Sequence, residues 1–153
     1  MTYSTRTEAI YKTLRDDDAL QALLGTTFDD DEAIVDPRVY NGWPEGEIAL
    51  DVLRPAYVIL TDEGDVTTGL AYGVSELYQV RIVSLARDLR EDIKERIREL
   101  IIDNFTFIDE SKYESGRIQL TGGGRPSSGP GEYDTDSRCY IVNVRFTIES
   151  VKI

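Results

Sequence analysis

Three stretches predict an α+β fold. The first is a central strand that turns directly into an amphipathic helix. The second is a strongly alternating strand at the end of the chain, and the third is a helical stretch at its start. In Ser75–Ala86 (SELYQVRIVSLA), Tyr78, Val80 and Ile82 fall on one side and Gln79 and Arg81 on the other. That period of two marks a half-buried strand. From Asp88 the rule changes: Leu89, Ile93, Ile97, Leu100 and Ile101 recur at helical spacing, with Arg90, Glu91, Lys94, Glu95 and Arg98 on the other face. Asp88 is placed to cap this helix, with Glu91 completing a capping box.

Taken in order, Thr5–Leu24 reads as helix in two pieces. Ile10, Leu14 and Tyr11 stripe the first; Asp16-Asp17-Asp18 starts the second, which carries Leu20, Leu23 and Leu24 and stops at Gly25. A solvated cap explains these aspartates better than a metal site does. Phe28–Asp36 is acidic and irregular. Asp29–Glu32 attract attention as ligands for a hard cation, but they lack the alternation and turning glycine of a calcium loop, and an exposed acidic loop is the simpler account. Arg38-Val39-Tyr40 is a short strand or turn, and Asn41-Gly42-Trp43-Pro44 is a turn signal. Trp43, the only tryptophan, either anchors its loop to the core or faces a partner chain.

Ile48–Leu53 reads equally as a helical turn or a strand extension. Arg54-Pro55 forces an extended lead into Ala56–Thr61, a buried strand. The glycine-containing link Asp62–Val74 suits a long hairpin whose arms extend through Val66–Tyr72. Past the central helix, Phe105, Phe107 and Ile108 are expected under the sheet, and Gly116–Thr121 is a strand. Gly122–Asp136, with five glycines and two prolines, is a hairpin loop. Ser137–Lys152 is the clearest strand: Tyr140, Val142, Val144, Phe146 and Ile148 alternate with Asn143, Arg145, Thr147 and Glu149, and Ile141 is the exception on the polar side.

The expected architecture is therefore one domain over residues 1–153. It has an antiparallel or mixed sheet of four to five strands, two helical segments on one face, and a Gly-rich hairpin loop at 122–136.

Composition narrows the chemistry. The chain has 153 residues, no histidine and a single cysteine, Cys139. Without histidine there is no Ser-His or Cys-His nucleophile pair, and a lone cysteine makes no disulfide framework. Gly122-Gly123-Gly124-Arg125 is followed by a Pro- and Ser-containing stretch and a strand, not by the helix a phosphate loop requires. No catalytic, cofactor or metal residue is assigned. The net charge of −12 opposes nonspecific nucleic-acid binding. No apolar run reaches the length of a membrane span, and the N-terminus lacks a signal peptide's apolar core. Only four of the 17 basic residues are lysines. An acidic, lysine-poor surface suits a high-salt cytoplasm, and a GC-rich genome favours arginine equally.

What remains is interaction surface, made of loops and sheet edges. Candidate interface residues are Trp43, Gln79 and Arg81, the loop residues Gly122, Gly123, Gly124 and Arg125, and Ile141, Asn143 and Arg145 on the last strand.

The order AIYKTLRDDDALQALLG, RVYNGWPEG, RPAYVIL, then ELYQVRIVSLARDLREDIKERIREL and CYIVNVRFTIESV resembles the tail terminator or tail-completion proteins of long-tailed phages and related viruses. The segment Trp43–Leu53 and the loop Gly122–Asp136 are longer than that pattern. The resemblance implies a non-enzymatic virion protein, assembled in the host cytoplasm and sited at the tail–neck junction. It implies a ring, commonly hexameric, that caps the tail tube, stops its polymerisation and joins it to the head connector. Its partners would be the tail tube protein, a connector or neck protein, and double-stranded DNA passing without sequence recognition. A neck or head-closure protein of the same virion is the alternative; a small acidic metal-assisted hydrolase using Asp29–Glu32 is a more distant one.

Overall fold

A computed structural model describes residues 6–31, 33–67, 73–103, 118–123 and 127–152. The elements run α1 (Arg6–Arg15), α2 (Asp18–Leu24), β1 (Thr27–Phe28), β2 (Ile34–Asp36), β3 (Val39–Asn41), β4 (Ala56–Thr67), β5 (Gly73–Ser84), α3 (Arg87–Asp103), β6 (Ile118–Gly123), β7 (Ser127–Ser128), β8 (Glu132–Asp134) and β9 (Cys139–Lys152). The fold is α+β. The main sheet has the order β3-β4-β5-β9-β6, with β7 and β8 also pairing with β9. Among the described residues only β3 with β4 is parallel, so the sheet is mixed.

The core forms where apolar periods meet. Val58, Leu60, Tyr78, Val80, Ile82, Val142, Val144 and Phe146 line one sheet face. Against them lie Ile10 and Leu14 of α1, Leu20 and Leu24 of α2, and Ile93, Ile97 and Leu100 of α3. Each fully buried aliphatic side chain contributes about 1.5–3 kcal/mol relative to exposure. Tyr78 and Phe146 are register partners and stack with centroids 5.7 Å apart.

The two-piece N-terminal helix has the caps its sequence suggests. Asp17 accepts from the Leu20 N–H at 2.9 Å, and Gly25 closes α2 in the left-handed region with its N–H on the Gln21 carbonyl. Asp17 also accepts from Arg96 of α3 at 2.8 and 2.6 Å, which ties the two helices together. The start of α3 differs from expectation. The helix begins at Arg87 with the Arg90 N–H on the Ala86 carbonyl, so Asp88 lies inside the first turn and not at the cap. Glu91 pairs with Arg90 and Lys94 instead of closing a capping box. The turn before the helix is held by Ser84, whose hydroxyl accepts from the Ala86 N–H.

Other segments are more ordered than their sequence suggests. The acidic stretch contains the β1–β2 hairpin, with the Asp29 carboxylate accepting from the N–H groups of Asp31 and Ala33. β4 and β5 form the long hairpin, paired from Ala56↔Ser84 to Thr67↔Val74. Ile48–Leu53 is neither helix nor strand. The stretch expected as a Gly-rich loop runs back along β9: Gly122 and Gly123 pair with Glu149 and Ile148, Ser127 with Arg145, and Glu132 with Ile141. Of the expected strand Gly116–Thr121, residues 118–121 lie in β6, which continues to Gly123, and Gly116 and Arg117 lie outside the described residues. Phe105, Phe107 and Ile108 lie outside the described residues. Among the described residues, no helix is long and apolar enough to cross a membrane.

Candidate interaction surface

With the helices on one face of the sheet, the residues of opposite parity point to the other. Three rows cross that second face. Val83 of β5 pairs with Tyr57 of β4 and Ile141 of β9. One row on, Arg81 lies between Ile59 and Asn143, and then Gln79 lies between Thr61 and Arg145.

The first row is apolar, and the chain covers it itself. Val83, Cys139 and Ile141 are buried together, with Tyr57 and Leu50 packed on them. Leu50 arrives on the irregular segment 42–55, which crosses this face because Gly42 and Gly46 turn the chain at positive φ. Arg38 pins the segment: its Nη1 donates to the Ala49 carbonyl at 3.0 Å. Ile141 was expected to cover a neighbouring surface. It is 8% exposed and covered from within its own chain, because the lengthened segment before Pro55 folds over it.

The next two rows are polar and more open. The Arg81 guanidinium stands 5.8 Å from the centre of the Trp43 ring, while Trp43 itself is 65% exposed. The tryptophan thus holds one arginine and leaves most of its own surface uncovered. Arg145 donates from Nε to the Gln79 amide oxygen at 2.9 Å. Gln79, on the side read as polar, is nevertheless buried. The Asn143 amide oxygen is buried with no hydrogen-bond partner among the described residues.

Between segment 42–55 and the sheet runs a cleft of about 630 Å³. Its floor includes Tyr57, Ile59, Val83 and Ile141, and its rim includes Trp43, Arg81 and Asp134. Burial pushes the Tyr57 phenol up, reinforced by Cys139 and opposed by Arg81. The Ser137 hydroxyl holds the Asp134 carboxyl below the usual range, aided by the Asp136 N–H. The Cys139 thiol donates to the Ser137 carbonyl at 3.3 Å, a strand-end contact with no base involved. This arrangement offers stacking, hydrogen bonding and an apolar floor, which serve binding. Among the described residues no cluster of acidic or thiol side chains is arranged to hold a metal ion. The Asp29 carboxylate of the acidic loop is engaged by its own backbone.

No family model and no curated protein matches the chain. A solved structure does. The chain is similar to one in the virion of a native gene transfer agent particle, with a TM-score of 0.58 over 95% of this chain and 94% of that one, at 15% identity. At that identity the likeness is one of fold, and it runs essentially end to end.

Of the sequence-predicted interface residues, the structure brings Trp43, Gln79, Arg81, Asn143 and Arg145 onto one face, with Ile141 buried in the adjoining row. Gly122 and Gly123 are strand residues of β6; Gly124 and Arg125 lie outside the described residues. Sequence reading missed Arg90. Its Nη1 donates to the Glu132 carbonyl at 3.2 Å, and its guanidinium stands 5.7 Å from the centre of the Tyr140 ring, so it fastens β8 to α3. The signal was present: at 90, 93, 97 and 100, Arg90 occupies the first position of the buried stripe. Val52 and Leu53, 93% and 82% exposed, were also missed. Asp51 staples their turn, accepting from the N–H groups of Leu53 and Arg54 and pairing with the Arg54 guanidinium.

Proposed function

We propose that this protein is a structural, non-enzymatic virion component, a tail terminator that forms a ring, hexameric by resemblance, on the end of a tail tube. It stops tube polymerisation and joins the tube to the head connector, with double-stranded DNA passing through the lumen. Its place is the tail–neck junction of a particle assembled in the host cytoplasm. The observation that carries this reading is the end-to-end likeness of fold to a chain of the gene transfer agent virion. The order of sequence motifs supports it, as does a second sheet face built for contact. A net charge of −12 suits a passage for DNA, since like charge discourages sticking.

Native mass spectrometry and electron microscopy of the purified chain test the ring. The expected result is a closed oligomer of 17.3 kDa subunits; a monomer at high concentration refutes it. A neck or head-closure protein of the same virion is the second reading, because the likeness of fold is to a virion chain and does not single out one layer of the particle. Pull-downs against tail tube and connector subunits separate the two: a terminator retains the tube protein, and a neck protein retains only the connector.

A further inference from the structure

We infer that copies of this chain join head to tail by a knob and a cleft, the turn at Val52 and Leu53 in one copy seated in the cleft beneath segment 42–55 of the next. The inference rests on the ring reading and specifies the contact that closes the ring.

The knob is apolar, exposed and held in shape. Val52 and Leu53 are more exposed than any other large hydrophobic side chain among the described residues. Single exposed hydrophobics are ordinary; an adjacent pair raised on a fixed turn offers a contact. The Asp51 carboxylate accepts from the N–H groups of Leu53 and Arg54 at 3.0 and 2.8 Å, and the Asp51 N–H donates to the Arg54 carbonyl at 3.1 Å. With the turn fixed beforehand, docking it costs little freedom. Asp51 and Arg54 also form an ion pair of 2.8 Å, so the knob brings no net charge.

The cleft matches it. Its volume of about 630 Å³ suits two aliphatic side chains, and its floor of Tyr57, Ile59, Val83 and Ile141 is apolar. The exposed Trp43 ring on the rim gives them further surface to cover. Glu47, Asp134 and Asp136 line the cleft as well. An acidic segment of another copy would meet carboxylates there, and the neutral knob does not.

The knob and the cleft lie on opposite sides of the sheet. Leu50 packs on Val83, Cys139 and Ile141 of the second face. By Leu53 the chain has passed round the sheet end, and the Leu53–Pro55 backbone lies against Gly25 at the end of α2, a helix that packs on the first face through Leu20 and Leu24. A cavity of about 530 Å³ beside Tyr11 and Phe28 is lined in part by α1 and α2, on the knob's own side. The larger cleft faces away from the knob. A patch that fits a cavity elsewhere on the same molecule makes a heterologous contact, which closes into a ring where the rotation allows.

Complementation tests it. Val52→Ser/Leu53→Ser removes the knob without adding charge, and Trp43→Ala removes the rim of the cleft. All three side chains are exposed, and circular dichroism confirms that both variants fold. In native mass spectrometry each variant is expected to be monomeric where the unaltered chain forms its ring. Mixed in equal amounts, the two should form a dimer of one chain of each, because one intact knob and one intact cleft remain and growth stops there. Trp43, the only tryptophan, is then carried by the knob-less chain alone, so its emission should shift to the blue on mixing. Rings formed by either variant overturn the inference and leave the ring reading standing; rings of the Val52→Ser/Leu53→Ser chain that no longer retain tube or connector subunits assign the knob to that subunit instead. A Trp43→Ala chain that still dimerises overturns it in favour of knob against knob. Two monomeric variants that do not combine at high concentration overturn the pairing of these two patches. An unaltered chain that is monomeric at high concentration overturns both the inference and the ring.

Discussion

Two glycines of this chain share a backbone conformation but not an environment, and the difference isolates what packing at one of them contributes. Gly25 has φ +73° and Gly42 has φ +86°. A Cβ at Gly25 would stand 2.2 Å from the Leu53 carbonyl oxygen, 2.9 Å from Pro55 Cδ and 3.0 Å from Arg54 Cα, while at Gly42 it would meet nothing within 4 Å. Alanine in the left-handed region costs about 1–2 kcal/mol at either site, partly offset by about 0.4–1 kcal/mol through the less flexible unfolded chain. Gly42→Ala is therefore expected to destabilise by about 1 kcal/mol. At Gly25 the obstacle is mostly backbone, and the 51–55 turn must be displaced, adding an overpacking cost of about 1–3 kcal/mol. Gly25→Ala is expected to lose about 2–4 kcal/mol in all. In a chain of this size 1 kcal/mol moves the melting midpoint by about 2–4 °C. Urea unfolding followed by circular dichroism reads both variants, with an unchanged m-value confirming that the unfolded state is the same. Equal losses at the two sites would refute the reasoning, since they would mean that the close approach of α2's end to the Leu53–Pro55 backbone carries no weight.

The remaining predictions concern other joints of the molecule. A double-mutant cycle of Asp17→Asn and Arg96→Ala should give a coupling of about 1 kcal/mol near neutral pH. Arg96 holds the folded-state Asp17 carboxyl below its ordinary value, so this stability is present above the unfolded pKa and is lost as pH falls through it toward the folded one. Measured at pH 7 and at about pH 2.5, the coupling should shrink; a pH-independent value rejects the ion pair. Arg90→Ala should cost about 2–3 kcal/mol by removing charged hydrogen bonds to the Glu132 carbonyl of β8 and the Ile141 carbonyl of β9, and hydrogen exchange should show faster opening at Glu132–Asp134 than elsewhere. Trp43→Ala should change stability by less than about 1 kcal/mol, the scale of an exposed cation–π contact, yet abolish assembly in light scattering; intact rings would remove Trp43 from the interface. The unfolding midpoint should rise from low to molar salt, because screening relieves the self-repulsion of a chain at −12.

The fold was legible wherever one side chain period ran unbroken. β5 and β9 alternate over their central residues, and α3 keeps its stripe, so their apolar faces identified the core and the helical layer together. Two kinds of feature escaped. One depends on a residue whose partner lies far along the chain: Arg96 on Asp17, or Arg90 on the Glu132 carbonyl, leaves no local pattern beyond a charge at a stripe position. The other is backbone pairing that side chains barely encode. Gly122, Gly123, Ser127 and Ser128 have turn composition, yet they are held by the ladder of β9, whose outer edge would otherwise stay open. The second face shows both limits. Alternation placed Gln79, Arg81, Asn143 and Arg145 on it correctly, but segment 42–55 lacks any period, so its cover over Ile141 was invisible.

Charge decides what kind of contact this chain can make with copies of itself. Each copy brings −12, so assembly accumulates repulsion that only neutral or cationic contact regions can offset. Acidic side chains lie along the exposed side of α3, on the β1–β2 loop and on β4, and Glu47, Asp134 and Asp136 line the cleft of the second face. What distinguishes the second face is that Arg81 and Arg145 stand among them, beside Trp43 and Gln79. If copies of this acidic chain assemble, surface where arginine and an aromatic ring offset the carboxylates is the best suited to the contact. On this account added salt should strengthen assembly, because it screens the repulsion more than it weakens stacking. An assembly that dissolves as salt rises would instead be held by ion pairs between copies, and stacking on the second face would not be its contact.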